Sequence, residues 1–132
     1  MKYKLGLDIH GVIDANPGFF AEMSRMLVSV GQEVHILTGQ KDDPGLRARI
    51  AGYGVQFTHF FSITSYHESH GTKIWYDGKG RPWMDAEIWN RTKAEYCLRN
   101  SITLHIDDSP IYGQYFTGTI YLLYKKTDVA IS

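Results

Sequence analysis

Apolar residues fall along this chain in two rhythms, and their alternation lays out the elements. Residues 3–9 form a mostly apolar run of strand length. Asn16-Pro17 then supplies a helix cap with proline at the first helical position. Phe19, Phe20, Met23, Met26, Leu27 and Val30 follow at helical spacing, which predicts one buried face, and Gly31 provides the stop. Residues 33–37 read as a second strand. Asp43-Pro44 opens a second helix carrying Leu46, Ile50 and Tyr53, closed by Gly54. Residues 55–63 are rich in aromatic and β-branched side chains and read as a third strand.

The rhythm breaks in the middle of the chain. Residues 73–76 and 81–84 look like two short extended arms around Asp77-Gly78-Lys79-Gly80, which predicts a hairpin placed as a rim before the next helix. Asp85 is expected to cap a helix running to about residue 100, with Ile88, Trp89 and Tyr96 on its apolar stripe and Lys93 on the flank. Residues 102–106 and 119–124 read as the fourth and fifth strands. A β-α-β-α-β alternation implies an α/β fold with a Rossmann-like parallel sheet, helices on both faces and a small β-hairpin insertion. With no repeat, linker or low-complexity tract, the 132 residues are expected to form a single domain, 1–132.

Fourteen basic and fourteen acidic residues leave no net charge, so there is no basic field for nucleic acid or an anionic membrane. Nor does any apolar stretch approach the ~20 residues of a membrane span. The first residues enter a strand without a leader pattern, which makes the cytoplasm the expected location. The single cysteine, Cys97, is expected to be a buried thiol within the last helix.

The chemistry concentrates at strand ends. Asp8 closes the first strand in Leu5-Gly6-Leu7-Asp8-Ile9-His10-Gly11-Val12-Ile13-Asp14. Thr38 and Gly39 follow the second, and Asp107-Asp108 close the fourth. Ligands of open parallel sheets gather outside the carboxyl ends of strands, where the strand order reverses. With the order 3-2-1-4-5, these three segments converge on one edge. Clustered carboxylates repel one another, and hard oxygen ligands favour Mg²⁺ over zinc, so a magnesium site is expected.

Taken in order, Asp8 with its Gly11-Val12-Ile13 turn, Leu37-Thr38-Gly39, Lys93 and Asp107-Asp108 resemble the four motifs of the haloacid dehalogenase (HAD) superfamily of phosphohydrolases. The matched segments span residues 5–109. The resemblance implies a Mg²⁺-dependent phosphatase in which Asp8 is the nucleophile and forms an aspartyl-phosphate. Thr38 and Gly39 would bind the phosphoryl oxygens. Lys93, with Lys73 as its rival, would balance their charge. Metal ligands would come from Asp8, the backbone carbonyl of His10, and Asp107 or Asp108. His10 departs from the pattern, because hydrolases of the superfamily carry a second aspartate there as general acid and base. Imidazole can exchange protons near neutrality, so His10 can take that role. The other reading is a catalytically weak or inactive relative that binds phosphate or a protein partner. Little sequence is left for a cap. The expected partner is therefore a phosphorylated small molecule or macromolecule end at an open site, or a neighbouring subunit acting as lid.

The remaining histidines and aromatics carry blander expectations. His67 and His70 are read as solvated or rim residues, because two histidines lack the further ligands zinc needs. His35, His59 and His105 are read as satisfied strand histidines. Trp75, Tyr76, Trp83 and Trp89 are read first as core packing and second as a stacking surface.

Overall fold

The computed structural model describes residues 2–125; Met1 and 126–132, which the expected single domain includes, lie outside the described residues. The chain runs β1 (Lys4–Leu7), a kinked turn (Ile9–Ile13), α1 (Pro17–Ser29), β2 (Glu33–Thr38), α2 (Pro44–Gly52), β3 (His59–Ser62) and α3 (Ile63–Ser69). It continues with β4 (Trp75–Tyr76), β5 (Pro82–Trp83), α4 (Ala86–Arg99), β6 (Leu104–Asp107), a 3₁₀ turn (Tyr112–Tyr115) and β7 (Ile120–Leu123). Five strands form one sheet in the order β3-β2-β1-β6-β7, every neighbouring pair parallel. That is the expected 3-2-1-4-5 order, and β4 and β5 make the expected antiparallel hairpin. Among the described residues no helix is long and apolar enough to cross a membrane.

Period-two alternation on the strands splits the core between the two faces of the sheet. Leu5, Leu7, Val34, Ile36 and Ile106 pack on one side with Phe20 of α1 and with Leu46 and Ile50 of α2. Leu37, Phe61 and Ile102 pack on the other with Ile63 of α3, Met84 and Cys97 of α4. Helices therefore cover both faces. Cys97 is wholly buried, and burial pushes its thiol up to about 12. Glycine at position 6 has a steric cause, since a Cβ there would come within 2.6 Å of Nδ1 of His105 on the neighbouring strand.

Three local expectations are corrected. The third strand is confined to His59–Ser62, because the Ser62 hydroxyl accepts a hydrogen bond from the Ser65 amide at 3.0 Å and starts α3 without glycine or proline to announce it. On α1, the buried stripe runs through Phe20 and Ser24 with Met23 and Leu27 half-buried, while Phe19, Met26 and Val30 stay exposed. The six apolar positions thus span more of the helix than one packed face can cover. Trp75, Tyr76 and Trp83 are about half exposed on the hairpin rather than in the core.

His67 is the fourth correction, for it is buried rather than solvated. Its Nε2 lies 2.8 Å from Oγ1 of Thr92, whose hydroxyl is already donated to the Ile88 carbonyl, so Nε2 carries the ring proton. Its Nδ1 accepts from Thr72 at 2.8 Å. The neighbouring His70 is exposed, as expected. Burial holds the His67 pKa below its ordinary value, because the folded chain disfavours the imidazolium. In the unfolded chain the same ring takes up a proton as pH falls through ~6.5. Stability contributed by neutral His67 is thus fully present above that pH and is lost as pH falls towards the lowered folded value. We predict that the difference in urea midpoint between the wild type and His67→Gln narrows as pH falls from 7.5 to 5.5.

Candidate active site

Carboxyl ends of β1, β2 and β6 meet at one edge of the sheet, and the side chains there are unusually buried for their charge. Asp8 follows directly on β1, and its amide donates to the Ile106 carbonyl at 3.1 Å, extending the β1–β6 pairing to the carboxylate. Asp107 ends β6 with no exposure, and Lys93 projects from the middle of α4 with 2%. The ammonium Nζ of Lys93 donates to Oδ1 of Asp8 at 3.0 Å and to Oδ2 of Asp107 at 2.8 Å. Lys73 is exposed, and Lys93 is the lysine that stands between the two carboxylates.

Asp107 spends its acceptor capacity on the protein. Oδ2 receives Lys93 and Nε2 of the fully buried His105, the latter at 2.9 Å, and Oδ1 receives the Ser109 amide at 3.2 Å. Burial opposes the charge of Asp107, yet the bonds from His105 and Lys93 hold its carboxyl well below the ordinary carboxylate range. Asp108 differs in being exposed and in lining the cleft. Its carboxylate lies over Gly11, where any Cβ would overlap it, and Gly11 has φ of +79°, a conformation that favours glycine. The residue division is therefore clear: Asp107 anchors the lysine, and Asp108 faces the opening.

One ammonium faces three carboxylates. Burial pushes Asp8 up to about 7, with Lys93 opposing and the charges of Asp107 and Asp108 adding to the rise. Lys93 in turn loses solvation but is held charged by Asp8 and Asp107, so its pKa is raised. Oxygens of Asp8, Asp107 and Asp108 lie within 4.8 Å of one another. An all-oxygen set with excess negative charge fits a hard divalent cation of the magnesium class.

A cleft of about 430 Å³ opens above these groups, lined among others by Asp8, Thr38, Gly39, Lys93, Asp108 and Tyr112. Thr38 is 2% exposed and its Oγ1 accepts the Gln40 amide at 3.1 Å, leaving the hydroxyl hydrogen for another acceptor. The turn after Thr38 is pinned from β3 and α3, with Ser62 donating to the Gln40 carbonyl at 2.5 Å and Thr64 to the Gly39 carbonyl at 2.6 Å. Gly39 is required by its neighbour, because a Cβ would approach Cζ2 of Trp89 within 2.6 Å. Trp89 forms a wall of the cleft and donates its indole N–H to the Tyr112 hydroxyl at 2.8 Å. The hairpin contributes Arg81 and Pro82 to the rim, held by Asp77, which accepts Nε of Arg81 at 2.7 Å and the indole of Trp83 at 3.1 Å.

His10 also lines the cleft, but its side chain is 86% exposed and its Nδ1 lies 3.3 Å from Oδ2 of Asp14. The other Asp14 oxygen accepts the Gly11 amide at 2.7 Å, so Asp14 holds both the ring and the turn that carries it. Asp14 and His105 join the cluster through these contacts although no motif marks them. Both had a signal: i, i+4 spacing within the turn for Asp14, and period-two placement beside Asp107 for His105. Tyr112 had none, since only folding brings its 3₁₀ turn onto α4. No protein family, curated protein or solved structure matches the chain.

Removing Lys93 would leave two buried carboxylates without their cation. We predict that Lys93→Met lowers stability in urea denaturation by ~3–5 kcal/mol. Lys73→Met should stay within about 0.5 kcal/mol of the wild type.

Proposed function

We propose that the chain is a Mg²⁺-dependent phosphomonoester hydrolase of the HAD type, working through an aspartyl-phosphate on Asp8. The observation that carries this reading is the buried Asp8–Lys93–Asp107 bridge, set at the floor of a cleft beside Thr38 and a free Asp108. A nucleophilic carboxylate has to stay ionised while a phosphoryl dianion approaches it. Lys93 supplies one fixed cation for that purpose. A magnesium ion held by Asp8, Asp108 and the His10 carbonyl would supply the remaining charge neutralisation when bound.

In the first step an oxygen of Asp8 attacks phosphorus, the ester P–O bond breaks, and the leaving oxygen takes a proton from the His10 imidazolium. In the second, water attacks the phosphorus of the aspartyl-phosphate and passes its proton to His10. Inorganic phosphate leaves and the Asp8 carboxylate is regenerated. Thr38 donates its hydroxyl hydrogen to a phosphoryl oxygen in both steps, and the pinned turn after it needs no rearrangement to do so. Arg81, at the rim, provides a further cation for the entering anion. Asp14 orients the imidazole, as a carboxylate orients a catalytic histidine in many acid-base pairs.

A second reading, of a phosphate-binding module with little turnover, is favoured by the exposure of the His10 ring, which leaves its position over the cleft fixed, among the described residues, by the Asp14 contact alone. Phosphate release from a panel of phosphomonoesters separates the two. We predict Mg²⁺-dependent turnover that disappears in Asp8→Asn and falls by roughly 10²–10⁴ in His10→Asn. Release that is absent from the wild type throughout, or that persists undiminished in Asp8→Asn, contradicts the proposed hydrolase. A tenfold or greater gain in His10→Asp points to the second reading.

A further inference from the structure

A second constellation of metal-binding side chains lies at the opposite ends of the strands. Glu33 opens β2, His35 stands two residues along on the same strand face, and His59 opens β3 in direct register with His35. One ligand atom from each of the three lies within 4.8 Å of the others. Three residue steps along the strand separate His35 from Thr38, or about 10 Å at ~3.3 Å per residue, so this group is separate from the cleft.

We propose that Glu33, His35 and His59 form a transition-metal site of the zinc class, with its remaining position open to water. This goes beyond the phosphatase reading and does not depend on it. Two imidazoles and a carboxylate are the mixed nitrogen and oxygen set that zinc accepts and magnesium does not favour. Nε2 of His35 is 2.7 Å from Oε1 of Glu33, and Nδ1 of His59 is 3.7 Å from the same oxygen. Tetrahedral zinc with bonds of ~2.0–2.1 Å separates its donors by about 3.3–3.5 Å. The first separation must open by about 0.6 Å and the second close by about 0.2 Å for these donors to meet one metal. The two rings are stacked, with centroids 4.1 Å apart and planes 7° apart, and Nδ1 of half-exposed His59 also lies 2.9 Å from Oγ1 of Thr58, so metal binding requires the His59 ring to tilt out of the stack and exchange that contact for the metal.

The outer contacts suit a ligand set as well. Nδ1 of His35 lies 2.6 Å from the Tyr96 hydroxyl on α4. In the metal-free arrangement Nε2 carries the ring proton towards Glu33, and Nδ1 accepts from the phenol. With a metal on Nε2, the proton moves to Nδ1 and is donated to the same phenol oxygen, which can act in either sense. The cations facing Glu33 are Lys2 and Lys4, at 3.7 and 4.0 Å. Lys4 also donates to the Asn100 carbonyl at 2.8 Å and keeps that partner when a metal takes the carboxylate.

The test is a Zn²⁺ titration of the purified full chain by calorimetry, with excess Mg²⁺ added to compete at the carboxylate cluster and Co²⁺ absorption as a spectroscopic check. The expected result is one equivalent bound at micromolar concentration or tighter. Affinity should fall at least tenfold in His59→Ala and in Glu33→Gln, and about 10–100-fold in Tyr96→Phe, which keeps the ring but loses the outer hydrogen bond. His59 is exposed, so its variant retains the fold, and a far-ultraviolet spectrum verifies that. No Zn²⁺ uptake by the wild type up to millimolar concentration, or an unchanged isotherm in His59→Ala, overturns the proposal.

Discussion

The buried ammonium of Lys93 is the interaction on which the architecture of the site depends. Two carboxylates from strands far apart in sequence end within hydrogen-bond distance of one nitrogen, and neither could remain charged in that burial without it. Lys93 is positioned by α4, whose buried side also carries Thr92, Ala94 and Cys97. The helix therefore packs on the sheet and delivers its cation with the same face. Stability and chemistry are joined at this point, because the charge that holds Asp8 in place is the charge a phosphoryl group would meet.

Around that bridge, rigidity comes from small, local devices. Ser62 and Thr64 tie down the carbonyls of Gln40 and Gly39, Asp14 holds the turn at Gly11, and His105 braces Asp107 from behind. Each is a hydrogen bond made before any ligand arrives, and preorganised donors are what a site for a developing charge requires. The glycines at 11 and 39 belong to the same design, since each leaves room for a side chain that lines the cleft, Asp108 in one case and Trp89 in the other. The hairpin is a looser addition. It meets the cleft through Arg81 and Pro82 while its tryptophans stand half exposed.

Much of this was legible in the sequence, for identifiable reasons. Parallel order and strand positions followed from short apolar runs separated by capped helices, and the convergence of Asp8, Thr38 and Asp107 followed from that order. Lys93 was harder to read. A lysine inside a polar-looking helix has the pattern of a solvated residue, and its burial becomes visible only when the carboxylates opposite are known. Helix α3 was hidden because a serine hydroxyl alone switches strand to helix at Ser62. His67 was misread since its two threonine partners are 5 and 25 residues away, and no periodicity links them. Exposed aromatics on the hairpin were misread for the opposite reason: composition favours burial, and a two-residue strand pair has no second layer to bury them against.

Covalent phosphorylation of Asp8 is the central chemical claim. Acid quenching of the protein during incubation with a phosphomonoester and Mg²⁺, followed by borohydride reduction and peptide mass spectrometry, reads it directly. An acyl-phosphate at position 8 is converted to homoserine by that treatment, and the account predicts homoserine at residue 8 and nowhere else. Turnover of substrate with residue 8 recovered only as aspartate, under conditions that trap acyl-phosphates in a control enzyme, would contradict it.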